Sequence, residues 1–158
     1  MSVKPIPEGF HTITPYLVVE GADRLVEFIE RVFDGKLLFK METDEGKIGH
    51  GEIKIGDSIL MFADASDEWE PTRALLHLYV EDADAVYKKA LDAGAVSIKE
   101  PEDQFYGDRS ASVRDAFGNI WGIATHIEDV SEEEIAKRLE AMKQKADAAA
   151  GSSQAGAA

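Results

Sequence analysis

The 158-residue chain carries 31 acidic and 17 basic side chains, a net charge of −14, with 44% hydrophobic residues and no cysteine. That length and apolar content fit one domain with its own core, while the charge argues against nucleic acid or an anionic membrane as partner and the missing cysteines remove disulfides, thiolate nucleophiles and thiolate-held zinc. No apolar run approaches the roughly 18 residues of a membrane span, and the first residues lack a secretory leader's apolar segment, so a cytoplasmic protein is expected.

Residues 1–10 contain Pro5, Pro7 and Gly9 and read as an extended arm. His11 to Val19 is rich in β-branched and aromatic residues and predicts a strand. From Asp23 the spacing turns helical, with Leu25, Phe28, Ile29, Val32 and Phe33 on one face and Gly35 as a left-handed stop. Strands are expected over Lys36–Glu42, Gly49–Ile55 and Ser58–Ala63, joined at Asp44-Glu45-Gly46 and Gly56-Asp57. The acidic stretch Asp64–Thr72 reads as a connection. A strand Leu75–Val80 follows, then a helix through Ala83, Val86, Tyr87, Ala90 and Leu91 that ends at Gly94. Val96–Lys99, Ser110–Arg114 and Ile120–His126 complete the strands. Ser131 and Glu134 have capping-box spacing, Val130 and Ile135 fit a hydrophobic staple, and a third helix is predicted over 131–147. The Ala/Gly/Ser-rich residues 148–158 are expected to form a flexible tail.

The chain repeats itself. Val19-Glu20-Gly21-Ala22-Asp23 returns as Val80-Glu81-Asp82-Ala83-Asp84, 61 positions on, and Ile59-Leu60-Met61-Phe62 returns at the same offset as Ile120-Trp121-Gly122-Ile123. A shared offset at two separate elements predicts a duplicated β-α-β-β-β unit, one over about 11–64 and one over about 73–127.

Paired units of this kind, with Tyr106-Gly107-Asp108-Arg109 leading into Val113-Arg114-Asp115-Ala116-Phe117-Gly118-Asn119-Ile120-Trp121 and then Ala124-Thr125-His126, resemble the glyoxalase/bleomycin-resistance/extradiol-dioxygenase (vicinal oxygen chelate) superfamily, in its PhnB-like branch. The resemblance implies an α+β glyoxalase-like incomplete barrel over 11–130 plus a C-terminal helix, a concave site between the sheets, and completion by a homodimer. It also implies four metal-ligand positions, which fall on Thr14, Met61, Leu75 and Gly122. None of these is a usual metal ligand, so no metal and no other cofactor is expected.

Strand alternation turns Leu17, Val19, Leu76 and Leu78 toward the helices and Tyr16, His77 and Tyr79 toward the cavity. A small organic ligand is the expected partner, with Tyr16, Tyr79 and Tyr106 as stacking walls and polar handles, Glu52 within reach and His77 as the candidate acid or base. Arg109 and Arg114 offer forked donors to a carboxylate or phosphate. An inward arginine either pairs with Glu52 or Asp108 or waits for an anionic ligand. The alternative is a metal-dependent lyase, isomerase or dioxygenase with a displaced His77, His126 and Glu52 site, the two imidazoles lying two residues apart along adjoining strands. Whether the chain is an enzyme is left open by these residues.

Overall fold

The computed structural model describes residues 2–155. Its elements run β1 (Tyr16–Val19), α1 (Ala22–Phe33), β2 (Lys36–Glu42), β3 (Ile48–Ile55), β4 (Ser58–Asp64), β5 (Leu75–Tyr79), α2 (Ala83–Asp92), β6 (Val96–Asp103), β7 (Asp108–Arg114), β8 (Ile120–His126) and α3 (Glu132–Ala155). The two sheets have the same order, β1-β4-β3-β2 and β5-β8-β7-β6. In each, the first strand lies parallel to the last and the other pairs are antiparallel. The duplication legible in the sequence is therefore a duplication of topology.

Helices α1 and α2 each cover one face of their own sheet, and the two pack against each other. The apolar stripe of α1, Leu25, Val26, Ile29, Val32 and Phe33, is buried against Leu17, Val19, Ile53, Leu60 and Phe62. Trp121 joins the halves: its ring lies 5.0 Å from Phe33 and 6.2 Å from Phe28, and its indole N–H donates to Asp115 Oδ2 at 2.9 Å. Burying so large an apolar ring is worth about 2–3 kcal/mol, provided the N–H keeps its acceptor.

Several boundaries differ from expectation. The first strand begins at Tyr16, not His11, because Pro15 has no N–H to donate and Ile13 is left exposed. The left-handed residue after α1 is Asp34, at φ 53°, and Gly35 serves packing instead: a Cβ there would stand 2.6 Å from Ile29 Cγ2. The sixth strand continues through Pro101 to Asp103, which an edge strand with register shifts tolerates. The third helix runs on to Ala155 where a tail is expected over 148–158, since alanine is the best helix former and Ser152 and Ser153 return their hydroxyls to the carbonyls of Ala149 and Ala150. Residues 156–158 and Met1 lie outside the described residues.

Candidate functional site

The faces turned away from the helices hold the polar chemistry. On the first sheet, cross-strand pairing sets Tyr16 beside Met61, Met61 beside Glu52 and Glu52 beside Phe39, with His50 opposite Met41 in the next row. Tyr16 hydroxyl lies 2.9 Å from His50 Nδ1, and His50 Nε2 lies 3.2 Å from Glu52 Oε1. In the neutral imidazole the Nε2–H donates to Glu52 and Nδ1 accepts from the Tyr16 hydroxyl, forming a carboxylate–imidazole–phenol chain. Burial pushes the Tyr16 phenol above its ordinary value.

A second network crosses the other sheet. Asp108 is nearly buried at the start of β7, opposite His126. Its Oδ1 accepts from His126 Nδ1 at 2.8 Å and its Oδ2 from the Tyr79 hydroxyl at 2.9 Å. Burial pushes the Asp108 carboxyl up, but the His126 and Tyr79 donors together outweigh it and hold the group below the usual carboxylate range. His126 Nε2 meets Asp129 Oδ1 at 2.8 Å. With a carboxylate at each nitrogen, Asp129 first and Asp108 second, the imidazole is held above its ordinary value. Donating to the Asp108 carboxylate, together with the charge of that carboxylate, leaves the Tyr79 phenol harder to ionise.

His77 stands edge-on to the Tyr79 ring, 5.2 Å between centroids, and its Nδ1 would be 2.5 Å from a Cβ at Gly122. The bare backbone at Gly122 is thus what lets the imidazole lie over β8. Tyr106, in the β6–β7 loop, meets Phe105 edge-to-face at 5.3 Å and is close enough to Tyr79 to act on its charge. Arg109 points to the helix side, where Asp84 of α2 binds it through both oxygens at 2.6 and 2.9 Å and Asp103 takes a third N–H at 2.9 Å. Its partners are thus neither Glu52 nor Asp108, and its donors are largely committed. Arg114 is exposed at the end of β7, beside Leu75, Ile120 and Arg73.

The register corrects two spacings. Across β5 and β8, His77 lies opposite Gly122 and Leu75 opposite Ile120, while across β1 and β4 Tyr16, not Thr14, lies opposite Met61. His77 is then four residues from the level of His126, about 13 Å at strand rise, and not two. Glu52 belongs to the first sheet and the two histidines to the second. Among the described residues no three His, Cys, Asp or Glu side chains converge as a cation would require. The residues opposite Met61 and Gly122, Tyr16 and His77, do not make the donor set a metal needs.

Sequence reasoning passed over Phe39, Met41 and Arg73 and misplaced the partners of Asp108. Alternation along β2 was the available signal for Phe39 and Met41, which share a face with Glu52 and His50. No local pattern marks Arg73.

Two duplicated sheet–helix units with polar networks on their open faces define an α+β protein. The family model of the Glyoxalase/Bleomycin resistance protein/Dioxygenase superfamily matches residues 9–123, and the chain belongs to that superfamily. An uncharacterized protein of Mycobacterium bovis is 31% identical over 134 residues, which span 78% of this chain and 88% of the relative. Among solved structures, TioX from Micromonospora sp. ML1 is 26% identical with a TM-score of 0.63, covering 74% of this chain and 99% of its own. A PhnB protein from Bacillus cereus, at 18% identity and a TM-score of 0.58 over 73% of this chain and 99% of its own, shares the fold.

Proposed function

We propose that the chain, which we place in the PhnB-like branch on its Tyr106–Trp121 stretch, is a cytoplasmic homodimer that binds a small organic ligand on the open sheet faces without a metal. The observation that carries this reading is the exposure of side chains that a finished core would bury. Leu75 is 68% and Tyr79 65% exposed, and Tyr16, Phe39 and Met41 are also exposed on the other sheet. Among the described residues no helix and no second sheet covers these faces, and removing apolar surface of this kind from water, by a ligand or a second copy, is favourable. The polar groups set among them are few, and Tyr16, His50 and Glu52 hold one another in place, as orientation of a small molecule requires. Aromatic walls from Tyr16, Phe39 and Tyr79 would take the ligand's apolar body, and His77 and Glu52 its polar groups.

A second reading, an enzyme, is favoured by the Tyr16–His50–Glu52 chain. His50 could take a proton from the Tyr16 hydroxyl while Glu52 steadies the resulting imidazolium, leaving a phenolate to accept a substrate proton.

A thermal-shift screen of metabolite-like compounds in the presence of a chelator tests the leading reading. A compound that raises the melting temperature of the native protein and not of a Tyr16→Ser, Tyr79→Ser double variant supports it. Stabilisation that appears only after a divalent metal is restored would sink it.

A further inference from the structure

The arginines divide into three kinds. Arg109 and Arg138 each hold two carboxylates, and Arg24 and Arg31 donate to the carbonyls of Glu20 and Asp92. Arg73 and Arg114 have neither sort of partner among the described residues. Both line one groove of about 640 Å³ at the end of the second sheet, together with Ala74, Leu75, Gly118 and Ile120.

Their position is built, not incidental. The segment carrying Arg73 is fastened to the 115–119 turn: Ala74 N–H donates to Asn119 Oδ1 at 2.9 Å, and Ile120 N–H donates to the Ala74 carbonyl at 2.9 Å. The Arg73 side chain passes over Gly118, a residue at φ 86° whose missing Cβ would stand 3.3 Å from Arg73 Nε. Arg114 closes β7 directly opposite Ile120. The adjacent carboxylate, Asp115, is buried and spent elsewhere, with Oδ1 accepting from the backbone N–H of Phe117 and of Asn119 and Oδ2 from the Trp121 indole. In a chain of net charge −14, two guanidiniums left without an acid beside Leu75 and Ile120 present forked donors next to apolar surface.

We propose that Arg73 and Arg114 form a clamp for an oxyanion, carboxylate or phosphate, which anchors one end of an organic ligand whose apolar body lies on Leu75 and Ile120. The apolar half of this statement rests on the ligand-binding reading above; the clamp itself does not.

The test is NMR titration of the full-length, ¹⁵N-labelled protein with inorganic phosphate, benzoate and uncharged benzyl alcohol. The clamp predicts saturable shifts of the Arg73 and Arg114 Nε–H signals and of the Gly118 amide with both anions. It also predicts about tenfold weaker benzoate binding in Arg73→Met and in Arg114→Met, and no change in Lys88→Met, which removes an exposed charge from α2. Benzoate binding tighter than phosphate supports the apolar extension, whereas saturation by phosphate with no gain for benzoate keeps the clamp and counts against the organic ligand. Benzyl alcohol binding as tightly as benzoate, unchanged in both arginine variants, keeps the organic ligand and overturns the clamp. Shifts that never saturate, or that spread over all basic side chains, also overturn it.

Discussion

Gly51 and Gly122 allow a paired test of which sheet face is packed and which is open. At Gly51 an added Cβ runs into the ring of Phe62, which is fully buried beneath α1. At Gly122 the nearest atoms an added Cβ meets all belong to the imidazole of His77, an exposed side chain with room to swing. Overpacking a closed core costs about 1–3 kcal/mol, and a domain of this size loses about 2–4 °C of melting temperature per kcal/mol. Gly51→Ala should therefore melt roughly 2–12 °C lower. Gly122→Ala should melt no lower than the native protein and up to about 4 °C higher, because rotating His77 costs little and alanine recovers about 0.5–1 kcal/mol of backbone entropy. Circular-dichroism melts measure both variants, and the His77 ring signals in a ¹H–¹³C spectrum should shift in Gly122→Ala. Equal destabilisation of the two variants, or an unmoved His77 ring, would refute the claim that the face above Gly122 is open.

Three further outcomes follow from the site. His126 should titrate above its ordinary 6.5, and Asp129→Asn should lower that midpoint in an NMR titration. The sign for stability is opposite at the two partners: His126, raised on folding, stabilises below 6.5 and loses that contribution as pH rises through its elevated midpoint, whereas Asp108, lowered from 3.8, stabilises above 3.8 and loses it as pH falls. The pair should thus hold best between about pH 4 and 6.5, with Asp108→Asn flattening the profile of urea midpoints against pH. Arg109→Met should leave ligand uptake unchanged and cost little stability, because its ion pairs to Asp84 and Asp103 are partly in solvent; a loss of uptake measured by calorimetry would return Arg109 to the site. Glu52→Gln should loosen the His50 ring, read as a change in its tautomer-sensitive ¹⁵N shifts, and an unchanged spectrum would argue that Tyr16 alone orients the imidazole.

The strands and helices were legible because the chain states its periods plainly: two residues in Leu75, His77 and Tyr79, and a helical stripe from Leu25 to Phe33. The 61-residue offset made the duplicated topology legible as well. Register was not. Sliding β5 against β8 by two residues keeps every side chain on its own face, so alternation cannot tell whether Leu75 or His77 stands opposite Gly122. Partners distant in sequence were equally hidden, as Arg109 reaches back 25 residues to Asp84 and Asp108 back 29 to Tyr79. Both pairs depend on where β7 begins, and it begins at Asp108, two residues before the expected start at Ser110.

On the proposal above, these open faces take an organic ligand through the chain's own side chains. Native mass spectrometry of the purified protein, with elemental analysis of the same sample, tests it most directly. The expected result is an organic mass retained on a dimer, with no divalent metal in stoichiometric amount. One metal ion per chain, whose removal abolishes retention of that mass, would contradict it.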